Sequence, residues 1–316
     1  MPHILICFIG SDNLVYNVQQ LEAALKDTKI KYALNEPMKR HTSFKTAGSA
    51  DIFAAVENEQ ELKALGQLCR TYSVPMLVIG KGSNLLVSDK GIDGVVVTTE
   101  PMNKITVDGC FITAQAGAAL SALCSVAASS GLTGLEFACG IPGSVGGAVY
   151  MNAGAYGGEM KDVVESVTAV TRDGQIITLK KDELELSYRK SVFTNSGTTV
   201  ISAVFKLSLG DTEKIREDMA DILRRRKEKQ PLEYPSAGST FKRPEGHFAG
   251  ALIEQCGLKG KTVGGAMVSR KHAGFVVNTG SATSTDILTL IKKIQEAVLR
   301  DTGISLETEV LFVGRE

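Results

Sequence analysis

The amino-acid sequence predicts an α+β fold built from several modest subdomains, and three observations carry that reading. Leu62, Leu65, Cys69 and Tyr72 recur at helical spacing. Ile201, Ala203, Phe205, Leu207 and Leu209 alternate along a strand and read as its core face. Patterns of both kinds interleave along 316 residues that are 43% hydrophobic, enough apolar material for two or three cores rather than one.

Taken in order, residues 1–34 read as an N-terminal extension with one amphipathic segment. Its apolar run Ile4–Ile9 is too short for a signal-peptide core and lacks a cationic lead. Residues 35–99 form a first unit, in which Pro75 ends the helix at Tyr72 and Met76–Ile79 is a short buried strand. That strand runs into Gly80-Lys81-Gly82-Ser83-Asn84-Leu85, and another strand follows at Val95–Thr98. Residues 100–230 form a second unit. It holds a helix over Ala118–Ser130 ended by Gly131, then a glycine-rich stretch from Gly140 to Gly158. A hairpin turning on Asp173-Gly174 and the strand Val200–Leu209 come next. Asp211 caps a further helix, which ends in Arg224-Arg225-Arg226-Lys227. Residues 231–302 form a smaller α/β unit closed by a helix over Asp286–Asp301. A last strand over Ser305–Val313 is expected to return to the second unit.

Composition excludes several function classes. Lys+Arg and Asp+Glu both number 35, so no overall field draws the chain to nucleic acid or an anionic membrane. No apolar run is long enough to cross a bilayer. The six cysteines form no C-x-x-C pair and several lie in apolar runs, which fits reduced thiols and a cytoplasmic protein. The four histidines have no metal-ligand spacing, so no metal is expected.

Familiar nucleotide motifs also fail. Gly80-Lys81-Gly82 begins like a dinucleotide fingerprint, but position 85 is Leu and no clear helix follows. Gly260-Lys261-Thr262 ends like a P-loop, but position 255 is Gln. Gly143-Ser144-Val145-Gly146 has the wrong spacing for a nucleophile elbow. What survives is a pair of glycine-rich loops, Gly80–Leu85 and Gly140–Ala148, the second too rich in glycine for an ordinary helix. Backbone N–H groups on such loops can line up against an anion, and together they favour a bound nucleotide of some kind. The Arg224–Lys227 run reads equally as cations at a helix C-terminus or as an anion site.

Seven short motifs in order then carry a resemblance. They are His41-Thr42-Ser43-Phe44 with Thr46 and Gly48, then Gly80–Asn84, Gly140–Gly147 and Met151–Gly157. Tyr188-Arg189-Lys190-Ser191, Ala237–Lys242 and Leu306–Val310 complete the set. From about residue 35 onward the chain resembles the UDP-N-acetylenolpyruvoylglucosamine reductase family, in its shorter-loop (type II) branch. The resemblance implies a flavin fold of the vanillyl-alcohol-oxidase type: two subdomains cradle FAD and a third, smaller α/β domain covers the substrate. The implied activity is NADPH-dependent reduction of UDP-N-acetylglucosamine enolpyruvate to UDP-N-acetylmuramate, a step in making peptidoglycan precursors.

By the same resemblance, FAD is expected against Thr46, Gly48, Gly80, Lys81, Gly82, Ser83, Asn84 and Leu85. The second loop would add Gly140, Pro142, Gly143, Ser144, Gly146 and Gly147, followed by Asn152 and Gly154. Neither loop carries a histidine for covalent attachment, so the flavin is expected to be non-covalent. Hydride from flavin N5 would reach the vinyl carbon and leave negative charge beside the substrate carboxylate. Arg189 matches the arginine that steadies this charge, a task suited to a planar fork. Ser239 matches the proton donor, acting on a strongly basic enediolate-like intermediate. Glu309 matches the family's glutamate, and strand alternation alone does not separate it from Glu307. Tyr188, Arg226, Lys229, Lys242 and His272 are expected against the UDP-sugar. Arg243 and His272 stand where some relatives carry amides, so polar contacts there can differ. NADPH is expected to use the substrate's pocket in alternation, since no separate nicotinamide fingerprint exists. Two rival readings are a flavin oxidase on the same fold and a non-catalytic sugar-nucleotide binder. Matches at all three chemical positions argue against both.

Overall fold

A computed structural model describes residues 17–316. The apolar run Ile4–Ile9, with Cys7, and His3 lie outside the described residues. The first sheet has the order Lys31–Pro37, Ser49–Ala55, Ile92–Thr98, Met76–Ile79. Its first pair is antiparallel and the other two are parallel. The helix Glu59–Thr71 packs on it through Leu62, Leu65 and Cys69, and the Asn58 side chain caps it by accepting from the Glu61 N–H. Tyr72, expected inside this helix, is its C-cap, and Ser73 turns into the left-handed region at φ 53°.

Two expectations about boundaries are corrected here. Residues 17–34 were expected to stand apart, but the helix Val18–Lys26 buries Leu21 and Leu25 in the same core as Leu62 and Leu65. The strand beginning at Lys31 then pairs with Ser49–Ala55, so a boundary at residue 34 would cut a hydrogen-bonded strand. The final strand, Leu311–Val313, was expected to return to residues 100–230. It instead pairs in parallel with Leu85–Val87, directly after the first glycine loop. Arg315 fixes that position by bridging Asp51 and Asp93 of the first unit at 2.5 and 2.6 Å.

The second unit is a five-stranded antiparallel sheet in the order Ile176–Lys180, Val164–Val170, Thr199–Lys206, Phe111–Gln115, Ile105–Asp108. Asp173 and Gly174 turn the expected hairpin. Ile201, Ala203, Phe205 and Leu207 are buried as their alternation requires, whereas Leu209 is 77% exposed because the strand breaks after Lys206. Helices Leu120–Ser129 and Thr212–Lys229 cover one face, and the Asp211 side chain caps the second by accepting from Glu213 N–H.

The third unit sets three short antiparallel strands, Thr262–Val263, Ala266–Val268 and Val276–Asn278, against helices Ala249–Gln255 and Ser284–Thr302. Ile253, Ile287, Ile291 and Ile294 fill its core, joined by Phe44 and Leu86 from the first unit. Asp89 ties the two units more directly. Its carboxylate accepts the Ser284 and Thr285 N–H groups at 2.8 and 3.0 Å, and the Ser284 hydroxyl accepts the Asp89 N–H. Burial works against the Asp89 charge, but these bonds outweigh it and hold the carboxyl below its ordinary value. Such a depressed carboxylate adds stability above its unfolded pKa, and that stability is lost as pH falls through the folded one. Asp89→Ala should therefore cost about 1–2 kcal/mol at neutral pH, the scale of a lost helix cap. Thermal melts should show this, with the difference from the parent shrinking towards acid pH.

Candidate active site

The glycine loop Gly80–Asn84 crosses from the strand Met76–Ile79 to Leu85–Val87. Gly82 takes φ +55°, and a methyl group there would overlap the His41 carbonyl oxygen. The His41–Phe44 motif is the bed on which this loop lies. Ser43 N–H donates to the Gly82 carbonyl at 3.2 Å, and the Ser43 hydroxyl donates to the Ser83 carbonyl at 3.3 Å. Gly82→Ala should thus both strain the turn and dislodge it. Loss of most bound flavin absorbance on purification is the expected result.

The second loop meets the first at Ser144. A methyl group at Gly80 would overlap the Ser144 hydroxyl, so that glycine is needed for the close approach. Contrary to expectation, part of this stretch is helical, over Val145–Tyr150. Close packing accounts for it: Gly146 lies so near Ala116 that a Cβ would sit 2.9 Å from the alanine methyl, and Gly146 N–H donates to the Ala116 carbonyl at 2.8 Å.

Between these loops opens a cavity of about 520 Å³. Residues 80–85, Pro142, Gly143, Ser144, Gly146, Gly147 and Gly154 all line it. The Ser144 hydroxyl is 1% exposed and has no hydrogen-bond partner among the described residues. A buried orphan hydroxyl beside two backbone loops is a place for an anionic acceptor, so these residues fit a flavin dinucleotide's diphosphate. Four expected contacts are placed outside the lining. Gly140 accepts a hydrogen bond from Arg226. Thr46 is buried against the Val87 carbonyl, and Gly48 lies close to the Ser88 carbonyl. Asn152 is fully buried, with its side chain bonded to Glu159, Ser187 and Lys161.

Arg189, Ser239 and Glu309 come from distant parts of the chain to the same cavity. Arg189 Nε donates to Glu309 Oε1 at 2.6 Å, with side chains 20% and 13% exposed. Arg189 occupies the left-handed region at φ 56°, between Ser187 and Lys190, which pair as a tight turn. A strained backbone of this kind costs on the order of 1–3 kcal/mol and is held by its surroundings. Burial pushes the Glu309 carboxyl up, even though Arg189 and Lys242 pull it down. Glu307 was not separable from Glu309 by alternation. The structure separates them, because the segment is not a continuous strand: Glu307 is 76% exposed and pairs with Lys242 at 3.1 Å. Asn84 of the first loop donates to the Glu309 main-chain carbonyl at 2.9 Å, joining the cofactor loop to the backbone that carries this carboxylate.

Of the residues expected against the UDP-sugar, Arg226 lines the cavity, and burial pulls its pKa down. Tyr188 is 51% exposed, and its hydroxyl accepts the Arg243 N–H at 3.0 Å. Lys229 lies on the exposed helix end, and Lys242 is taken by Glu307. His272 is turned inward, accepting from Gly274 N–H at 3.1 Å and packing edge-on against Phe275, and burial lowers its pKa. The cationic run divides its labour. Arg224 pairs with Asp221 and Glu228 on the surface, Arg225 lies over the Tyr156 ring, and Arg226 enters the cavity. Lys63 and Arg70 of one helix and Arg172 of the hairpin also line the cavity and were not anticipated. Helix and hairpin lie about a hundred residues apart, and no local spacing announces them.

Comparison with known proteins gives a consistent picture. A model described as the UDP-N-acetylenolpyruvoylglucosamine reductase C-terminal domain matches residues 230–313. A model described as an FAD binding domain matches residues 50–180. The chain is 52% identical to the UDP-N-acetylenolpyruvoylglucosamine reductase of Lachnoclostridium phytofermentans, over 89% of this chain and 93% of that one. It is 50% identical to the enzyme of the same name from Clostridium novyi, over 94% and 96%. Among solved structures, the UDP-N-acetylenolpyruvylglucosamine reductase of Thermus caldophilus matches with a TM-score of 0.77 and 38% identity, over 90% of this chain and 99% of that one. These matches bear out the expected flavin-binding fold with its mixed α and β content. No helix among the described residues is long and apolar enough to cross a membrane.

Proposed function

Because the chain belongs to the UDP-N-acetylenolpyruvoylglucosamine reductase family, we propose that Arg189, Ser239 and Glu309 carry its reaction. It is an FAD-binding oxidoreductase of peptidoglycan precursor synthesis. The proposed substrate is UDP-N-acetylglucosamine enolpyruvate, the product UDP-N-acetylmuramate and the electron donor NADPH. The observation that supports these roles is the half-buried Arg189–Glu309 pair, which shares one cavity with Ser239 and both glycine loops.

The loops 80–85 and 142–147 would hold FAD non-covalently, and when bound it supplies the hydride. The rest falls to the chain's own groups. Arg189 has its Nε engaged by Glu309, while its Nη1 forms no hydrogen bond among the described residues. That edge of the guanidinium can take the substrate carboxylate and meet the charge that builds on it during reduction. Glu309 orients the fork, and Asn84 steadies Glu309. Ser239 delivers the proton to the carbon bearing the ether oxygen. Arg226, half-buried with only a backbone carbonyl as hydrogen-bond partner of its side chain among the described residues, suits the sugar nucleotide's diphosphate. Residues 231–302 would cover the substrate.

NADPH and the sugar nucleotide should take turns in the same cavity. The neighbouring hollow behind Gly80 and Lys81, about 160 Å³, is too small for a second dinucleotide. Purified protein should be yellow and should oxidise NADPH only when UDP-N-acetylglucosamine enolpyruvate is added. Initial rates should give parallel double-reciprocal lines with inhibition by excess substrate. Intersecting lines from an ordered ternary complex would contradict the shared cavity. Oxidation of simple alcohols by oxygen would support an oxidase instead, and a colourless inactive protein a binding role.

A further inference from the structure

We propose that Asn152 is a positioning residue that locks the turn carrying Arg189, a role that rests on Arg189 acting at the reacting centre as described above. Arg189 is the second residue of a two-residue turn in which Ser187 and Lys190 exchange backbone hydrogen bonds of 3.0 and 3.1 Å. Its left-handed backbone, φ 56°, is costly for a residue bearing a Cβ and needs external bracing. Asn152 supplies the brace. Its Nδ2 donates to the Ser187 carbonyl at 3.0 Å and to Glu159 Oε2 at 2.6 Å. Its Oδ1 accepts the Lys161 N–H at 2.9 Å.

Both amide hydrogens and the amide oxygen are therefore committed to protein partners. The side chain is 0% exposed and is not part of the cavity wall, although Arg189 is. These facts separate Asn152 from the cofactor and connect it with the arginine. A second brace holds the other end of the segment, where the Ser191 hydroxyl donates to the Tyr150 carbonyl at 2.7 Å. Both anchors, Asn152 and Tyr150, belong to the segment that ends the short helix after the second glycine loop. The arginine turn is thereby fastened to the loop that faces the cofactor. Asparagine is suited to this place for two reasons. It tolerates the left-handed backbone it adopts, φ 42°, and it offers donors and an acceptor from one planar group. An aspartate would set a carboxylate against Glu159 and the Ser187 carbonyl, with nothing to donate.

The test uses the full-length holoenzyme. Asn152→Gly keeps the left-handed backbone and removes only the amide. FAD content and flavin reduction by NADPH should match the parent. Reoxidation of the reduced enzyme by UDP-N-acetylglucosamine enolpyruvate should slow on the order of 100-fold, the effect of misplacing a reacting group by about 1 Å. The loss should lie in kcat rather than KM for NADPH. In combination with Arg189→Ala the glycine variant should add no further loss, because both act through one group. Full additivity of the two losses, unchanged turnover in Asn152→Gly, or loss of FAD in proportion to activity would each overturn the role. Should the glycine variant not fold, Asn152→Asp is nearly isosteric and should show the same selective loss; normal turnover there would overturn the proposal. Normal turnover in Arg189→Ala would overturn the assignment of Arg189 itself, a distinct result.

Discussion

Ser239→Ala is expected to reduce its flavin with NADPH at the parent's rate and then to stall. Transfer to the enolpyruvyl substrate should fall by about 10²–10⁴-fold, the usual worth of a positioned proton donor. The structure makes this a clean experiment. Ser239 itself is exposed in the cavity, so trading its hydroxyl for hydrogen should change stability by no more than about 0.5 kcal/mol. Its neighbours hold the backbone without its help. Ala237 is 4% exposed, and Thr240 is fully buried. Thr240 N–H donates to the Gly274 carbonyl at 2.8 Å, its hydroxyl accepts from Val276 N–H at 3.0 Å, and its carbonyl accepts from Glu309 N–H at 2.9 Å. The last bond joins the serine loop to the segment carrying Glu309, and with the Lys242 N–H bond to the Glu307 carbonyl at 2.8 Å it holds proton donor and ion pair in register. Anaerobic stopped-flow absorbance of the flavin would follow the two half-reactions separately. Equal slowing of both would remove Ser239 from the role of proton donor.

Much of this fold was legible in the sequence because its signals are local. The helix Glu59–Thr71 follows from apolar spacing and its end from the approach to Pro75, whereas its start at the Asn58 cap emerges only from the structure. The hairpin at Asp173-Gly174 and the cap at Asp211 follow from residue type alone. What stayed hidden depends on partners far along the chain. Nothing in Leu311–Val313 says that its neighbour is Leu85–Val87, and nothing in residues 17–34 says that Leu21 and Leu25 close the first core. The site shows the same division. Its motifs can be read off, but a motif does not say which of its members faces the cavity and which supports it. Gly80 and Ser144 stand in the wall, whereas Thr46 and Asn152 are buried outside it and Gly48 packs against Ser88. A short polar residue is equally suited to bind a ligand and to brace a turn, and only the tertiary contacts decide.

Arg189→Lys is the second large effect, and it should cost about 10²–10³-fold in kcat, the scale of losing one donor to a developing anion. The substitution keeps the charge and a side chain of similar length, and it leaves the backbone problem unchanged. Lysine and arginine both carry a Cβ at φ 56°, so the strain of the turn is common to parent and variant. What changes is geometry. Arginine spends Nε on Glu309 at 2.6 Å and still presents a second edge of the same rigid plane to the substrate. An ammonium is a point charge, and drawn to the buried Glu309 carboxylate it has no second face to offer. Held instead at the substrate, it would leave Glu309 without the partner that opposes its burial, and the carboxyl would be pushed up further. The first choice gives up the substrate and the second gives up the ion pair, whereas the parent's arginine keeps both. FAD content and reduction by NADPH should stay close to the parent, since Arg189 makes no hydrogen bond to residues 80–85 or 142–147 and besides Glu309 reaches only the Gly154 carbonyl, at a long 3.5 Å. The deficit should therefore appear in the second half-reaction. Near-normal turnover in this variant would mean that a point charge suffices, and the carboxylate grip would have to be given up.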